Sequence, residues 1–476
     1  MKYPPLDNYI HGSQAPSNGE AKYVLSPVNG DVLTTVPFST REELQSAVNA
    51  AQAAFPAWTQ LTLRQRCDIF YRYRSLLQDN LGELSRLCHE ENGKTIGESK
   101  AEVLKAIELT ELACSLPNLV AGEALEVSPG FDCSIEQAPL GVVSCITPFN
   151  FPIMVPHWTI PMALALGNTM VFKPSEQVPI SGARIAELLT EAGLPDGVFN
   201  VVHGDKQVVN FICDNADIQA LTIVGSTPVA KAVYARATSN YKRVLALGGA
   251  KNHLIVMPDA DVEHTAVNVA ASACGCAGQR CMAAATMVAV GDVDHIVEQV
   301  VIQSRLLVPG DNLGAVISAD AKVRIEGYIT EAVEQGATVL LDGRGVTVEG
   351  CENGTYVGPT VLDNVSPDMN IASAEVFGPV LSIVRTTDLD EAIDLENSSP
   401  YGNAAVVYTQ DGQVAREFTG RASAGMIGVN VGVPVPSEPF GFGGWNDSRF
   451  GVGDITGRGS IQFWTQSKKI TSHWVQ

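Results

Sequence analysis

The sequence predicts an α/β protein built of two doubly wound α/β domains and a projecting β-hairpin arm. Three observations predict it. From Leu140 to Leu247, short β-prone runs alternate with amphipathic ones, and a second alternation fills Leu254 to about Val433. The first third reads as helical instead. Between it and the first alternation lies Leu119 to Ile135, which lacks helical periodicity and carries Gly122, Pro129 and Gly130 between short β-prone pieces.

Taken in order, Arg41-Glu42-Glu43 open an amphipathic run to Phe55, and long helices are expected over roughly Thr62 to His89 and Ile96 to Leu116. These helices cover one face of a sheet. After the hairpin come a strand over Gly141–Ile146, a helix around Trp158–Leu166, a strand over Thr169–Phe172 and a helix over Ile180–Ala192. Val198–Val202, Val208–Cys213, Ala220–Val224, Val229–Ala237 and Arg243–Leu247 continue the alternation that a parallel sheet with crossover helices requires. Ligands bind such sheets at the carboxyl ends of their strands. The second unit opens with a small-residue helix, Ala270 to Ala277, that carries Cys281 at its end, followed by a strand over Thr286–Val290. Ile461 to Gln466 and Lys469 to Thr471 read as a late strand.

Composition narrows the function. The chain has 476 residues, 45% of them hydrophobic, which suits a large globular protein of two or three structural units. Its 31 Lys and Arg against 52 Asp and Glu give a net charge of −21, which repels nucleic acid and anionic membrane surfaces. An anionic substrate then needs a local cationic pocket. Ten cysteines stand at no repeated spacing and Met1 to Asn8 contains no apolar core, so free thiols in the cytoplasm are expected. No metal is expected: Cys274, Cys276 and Cys281 have no histidine or second cysteine pair at metal-binding spacing. The most apolar stretch, Pro139 to Phe172, is interrupted by prolines and by Asn150, His157 and Asn168, so no membrane span is expected there.

Four runs carry the chemistry: Thr147-Pro148-Phe149-Asn150-Phe151-Pro152, Phe172-Lys173-Pro174-Ser175-Glu176, Gly278-Gln279-Arg280-Cys281-Met282 and Glu375-Val376-Phe377-Gly378-Pro379. An isolated cysteine is more often a small apolar filler than a nucleophile. Cys281 differs in having a cation beside it, which is expected to lower its pKa and raise the thiolate fraction. The Gly-x-Gly-x-x-Gly dinucleotide fingerprint is absent after the first strand; instead Ile223-Val224-Gly225-Ser226-Thr227-Pro228 ends a strand and opens a helix whose free N–H groups suit a phosphate.

Together the runs resemble the aldehyde dehydrogenase superfamily, and the similarity extends from about Tyr9 to Thr471. The resemblance implies an aldehyde dehydrogenase-like fold: a NAD-binding domain from residues 1–118 and 140–248, a catalytic domain over 249–445, and an oligomerisation arm and tail strand from 119–139 and 455–476, the arm and tail pairing across subunits of a homotetramer, a dimer of dimers. It makes Cys281 the nucleophile and the Asn150 amide an oxyanion donor, with the Cys281 N–H as the other. It assigns cofactor contacts to Thr147, Pro148, Phe149, Gly225 and Ser226, the adenosine ribose to Lys173 and Glu176, and the nicotinamide ribose to Glu375 with Phe377 beside it. A glutamate at position 176 repels a 2′-phosphate, so NAD is favoured over NADP. Where the family usually has a glycine five residues after Gly225, this chain has Ala230.

One departure is informative. Hydrolytic members carry the general base in Glu-Leu-Gly-Gly-Lys, and the matching run here is Ala246-Leu247-Gly248-Gly249-Ala250-Lys251. Ala246 cannot accept a proton. The thioester then waits for another acceptor, as in the CoA-acylating methylmalonate-semialdehyde dehydrogenases, which Gly249-Ala250-Lys251-Asn252-His253 and Gly428 to Pro434 also resemble. Coenzyme A is the implied co-substrate, and a 3-oxo acid semialdehyde is the implied small-molecule substrate. Its carboxylate is assigned to Arg280 and to Lys105, which stands where the family has a second arginine, with Phe442 lining the pocket. Lysine keeps the charge but loses the planar fork. The rival readings are a hydrolytic dehydrogenase releasing free acid and a non-catalytic structural module.

Overall fold

The computed structural model describes residues 1–474. Two mostly parallel sheets form the body. The first has eight strands, and its five central ones run in the order Phe199–Val201, Thr169–Lys173, Val142–Ile146, Ile218–Val224, Arg243–Leu247, all parallel. Val142–Ile146 and Thr169–Lys173 are buried at every position, as strands covered by helices on both faces must be. Strand order reverses between Val142–Ile146 and Ile218–Val224, which opens a crevice at their carboxyl ends. The second sheet has seven strands, with Asn252–Val256 flanked by Ala284–Val290 and Ala404–Tyr408; Val380–Thr386 lies beyond Ala284–Val290.

Capping explains where the early helices begin. Thr40, Thr62 and Thr95 each form a capping box, with Glu43, Gln65 and Glu98 at the third helical position. The expected long helix over Thr62 to His89 is two helices, Leu63–Asp79 and Leu81–Asn92, hinged at Asn80. The first third also holds strands that its helical reading passed over. Asn8–Ile10 and Ser13–Ala15 extend the first sheet, Tyr9 pairing antiparallel with Val201, and Ala21–Leu25 pairs with Val32–Pro37. Three to six residues are too short for a periodic signal.

The hairpin is Glu123–Ser128 against Phe131–Pro139. Its third strand is Thr465–His473 of the same chain, registered from Thr465 opposite Pro139 to His473 opposite Phe131. The arm and tail therefore pair with each other within one chain. Ile461 to Trp464 is helical rather than extended, because that turn buries Phe463 and Trp464 in the core, and the Trp464 carbonyl accepts from Asn168 Nδ2. Residues 475–476 of the expected tail lie outside the described residues. Among the described residues, no helix is long and apolar enough to cross a membrane.

Candidate active site

Each motif sits where a strand meets a loop, and the loops converge on Cys281. Asn150 follows the strand Val142–Ile146. Its loop is held from below by a buried ammonium: Lys94 Nζ donates to the Asn150 carbonyl and to Glu102, whose other oxygen accepts from the N–H groups of Ile153 (2.8 Å) and Met154 (3.0 Å). A charge pair so deep survives because both carboxylate oxygens and two of the ammonium protons find hydrogen-bond partners, with the Phe151 ring 3.7 Å from the ammonium. Asn92 Nδ2 adds a bond to the Phe149 carbonyl at 2.8 Å. Asn150 Nδ2 in turn donates to the Gln279 carbonyl at 3.0 Å, tying the first sheet's loop to the Cys281 segment.

Cys281 does not end a helix as the sequence suggested. The helix Val262–Cys274 stops, a left-handed turn at Cys276 (φ 52°) and Ala277 (φ 53°) follows, and Cys281 stands in the loop entering Ala284–Val290. Strained non-glycine backbone of this kind persists only where its surroundings fix it. Gly278 provides the closest approach: with φ 69°, a Cβ there would lie 1.9 Å from the Gly378 carbonyl oxygen, so the Gly-Gln-Arg-Cys and Glu-x-Phe-Gly-Pro runs touch backbone to backbone. Two asparagines hold the Cys281 carbonyl, Asn252 Nδ2 at 2.8 Å and Asn403 Nδ2 at 2.9 Å. Neither asparagine was singled out from the sequence, although Asn252 lies in a quoted run.

Cys281 borders two large cavities. One, of about 410 Å³, is lined by Lys105, Phe151, Met154, Trp158, Arg280 and Phe442, with the Phe442 ring 4.5 Å from that of Trp158. The other, of about 500 Å³, is lined by Pro148, Phe149, Asn150, Gly225, Ser226, Glu375 and Phe377 among others. Phe377, at φ 52°, sets its ring edge-on to Phe149 at 5.8 Å. A third cavity, of about 850 Å³, continues along the first sheet past Thr147, Lys173 and Glu176, where Lys173 Nζ lies 3.1 Å from Glu176 Oε2. Every residue that the resemblance assigned to catalysis, cofactor or substrate thus lines one of three cavities. The helix Thr227–Ser239 starts between the last two, and no side chain caps it, so its first N–H groups are free for an anion.

The electrostatics correct one expectation. Burial pushes the Cys281 thiol up to about 12, and the Glu375 carboxylate adds to this; the lowering by Arg280 is smaller. The guanidinium instead turns toward Glu98, Nη2 lying 3.8 Å from Oε1. Glu375 is raised by burial against the opposing pull of the Ala250 N–H (2.9 Å) and of Lys251. A Cβ on Gly249 would come within 2.3 Å of Glu375 Oε2, so only glycine lets this carboxylate lie along the Gly248-Gly249 backbone. Ala246 also needs correction. It is fully buried among Ile146, Ile223 and Ala230, because strand alternation turns it away from the site. In that run, Gly248 and Gly249 line the 500 Å³ cavity with Cys281 and carry no side chain to act as a base.

A sequence model of the aldehyde dehydrogenase family matches residues 14–470. The chain belongs to the aldehyde dehydrogenase family. It is 43% identical over 480 residues to a malonate-semialdehyde dehydrogenase of Pseudomonas aeruginosa, covering 99% of this chain and 97% of the relative. To malonate-semialdehyde dehydrogenase 1 of Geobacillus kaustophilus it is 45% identical over 477 residues, covering 98% of each. Among solved structures it superposes with a TM-score of 0.98 on a Sinorhizobium meliloti 1021 protein assigned as a methylmalonate-semialdehyde dehydrogenase and complexed with NAD, at 40% identity, over 100% of this chain and 99% of that one. The fold of this aldehyde dehydrogenase is therefore the one its motifs implied.

Proposed function

We propose that the chain is a NAD-dependent, CoA-acylating dehydrogenase of malonate or methylmalonate semialdehyde. The observation that carries the reading is the placement of Cys281 between two cavities with no side-chain base from the Gly248-Gly249 backbone beside it. The names of the relatives support the substrate class. In this reading residues 1–118 and 140–248 bind the cofactor, 249–445 carry the chemistry, and 119–139 with the tail from 455 assemble subunits. Leu125 and Val127 on the arm are 68% and 52% exposed, as residues awaiting a partner in a homotetramer would be. We place the enzyme in the cytoplasm.

The residues facing the 500 Å³ and 850 Å³ cavities suit NAD: free N–H groups at Ser226 and Thr227 for the pyrophosphate, Lys173 and Glu176 for one ribose, and Glu375 for the other. When bound, NAD accepts the hydride released from the Cys281 adduct. Cys281 must lose its proton and attack the aldehyde carbon, forming a C–S bond. Asn150 Nδ2 and the Cys281 N–H stabilise the oxyanion that results. The acyl group is left on sulfur as a thioester. With no side chain at Gly248 or Gly249 to activate water, the thiol of coenzyme A takes the acyl group and restores Cys281, and loss of CO₂ gives acetyl-CoA or propanoyl-CoA.

Product assays test this. Without coenzyme A, NADH should appear in a burst of about one equivalent per site and then slow sharply, and adding coenzyme A should restore steady turnover. Fast steady production of free acid without a thiol acceptor would overturn the acylating assignment.

A further inference from the structure

The 410 Å³ cavity holds two cations suited to a substrate carboxylate, and they differ in what already occupies them. Lys105 Nζ is engaged twice, by Glu438 Oε2 at 2.6 Å and by Glu108 Oε2 at 3.0 Å. The Lys105 and Glu438 side chains are only 23% and 16% exposed, so solvent screens this pair weakly. Arg280 has no carboxylate at hydrogen-bond distance. Its Nη2 lies 3.8 Å from Glu98, its Nε is buried without an acceptor, and Glu98 is committed elsewhere, accepting from the Cys276 N–H at 2.5 Å and from the Thr95 N–H at 3.1 Å. Glu438 arrives on the segment that supplies Val433, Val435, Pro436 and Phe442 to the same cavity wall. Its carboxylate therefore sits on the distal cation, where the carboxylate of an acidic aldehyde would otherwise sit.

We propose that Glu438 is a specificity-determining residue: a resident carboxylate that occupies Lys105 and leaves Arg280 as the one cation open to the carboxylate of an acidic aldehyde. The chain consequently discriminates only weakly between a carboxylated aldehyde and an uncharged one of the same length. This rests on the functional reading above, in that the 410 Å³ cavity takes the aldehyde.

The test measures kcat and KM for malonate semialdehyde and for propanal, with NAD and coenzyme A, on the parent enzyme and on Glu438→Gln. The amide keeps the shape and one acceptor but no longer neutralises Lys105. The preference for malonate semialdehyde over propanal, as the ratio of kcat/KM, should rise about tenfold, the scale of one charge-assisted hydrogen bond at a partly exposed site, and the rise should come through a lower KM. In the Lys105→Met background the same substitution should leave the ratio unmoved, because no ammonium remains to free. An unchanged ratio in the parent background, or an equal rise in the Lys105→Met background, would overturn the role of Glu438 while leaving the dehydrogenase reading intact. Absence of NADH formation with either aldehyde would overturn both.

Discussion

The two sheets meet the site from opposite poles. The first presents the carboxyl ends of Val142–Ile146 and Ile218–Val224, and what it offers there is largely backbone: the Pro148 turn, Gly225, Ser226 and the start of the helix Thr227–Ser239. The second presents amino ends. Lys251 leads into Asn252–Val256, Cys281 into Ala284–Val290, Glu375 into Val380–Thr386 and Asn403 into Ala404–Tyr408, and these contributions are side chains. A carboxyl end launches a helix whose N–H groups and dipole suit phosphates. An amino end receives a loop from a helix C-terminus, and near Cys281 that C-terminus offers a thiolate no help. The binding half is thus nearly ready-made by topology, while the chemical half depends on side chains that tie its loops down.

The largest test of this division is Cys281→Ala. Removing the nucleophile should lower NADH formation by about 10³-fold or more while NAD affinity, read by calorimetry, stays within about twofold. Equal losses in both would mean that the halves are not separable. Next come the asparagines that hold the Cys281 carbonyl. Asn403→Ala and Asn252→Ala should each cost about 10²-fold in kcat, the scale of a misplaced reacting atom, again with NAD affinity kept. A change in KM alone would show that these asparagines do not position Cys281.

The same contrast explains what the sequence revealed. In the first half the alternation of Gly141–Ile146, Trp158–Leu166 and Thr169–Phe172 was legible because buried parallel strands are continuous apolar runs, and the site then followed from the strand ends. In the second half that rule points to the wrong pole, and Cys281, Glu375 and Arg280 were found by their motifs instead. Asn403, Lys94 and Glu438 were not found, because each acts through a partner distant in sequence: Asn403 on Cys281, Lys94 on Asn150, Glu438 on Lys105. Ala246 was misplaced for a local reason, since its strand turns alternate residues away from the cleft.

The pH dependence of the thiol sharpens the comparison on the chemical side. With burial and Glu375 pushing Cys281 up to about 12, the thiolate fraction is small at neutral pH and grows about tenfold per pH unit. In the free protein, alkylation of Cys281 by iodoacetamide, followed by peptide mass spectrometry, should rise at that slope from pH 7 to 9 without levelling. A plateau below pH 9 would mean that Arg280 governs the thiol after all.

The smallest effect belongs to the binding half and concerns the choice of cofactor. Lys173 is buried, and its ammonium is shared between the Pro174 carbonyl at 2.9 Å and Glu176 at 3.1 Å. The Glu176 side chain is 41% exposed, so its repulsion of a 2′-phosphate is partly screened. NAD should therefore outperform NADP in kcat/KM. Glu176→Gln removes the like charge and frees the Lys173 ammonium, so the two effects add in favour of NADP. They do so at a solvent-open site, and the gap should narrow by roughly 5- to 10-fold, through KM for NADP and not through kcat. The chemical half should not register the change: the Cys281 burst amplitude with saturating NAD should match that of the parent. A fall in burst amplitude would break the separation between the poles, and equal efficiency with both cofactors in the parent would remove Glu176 from cofactor selection.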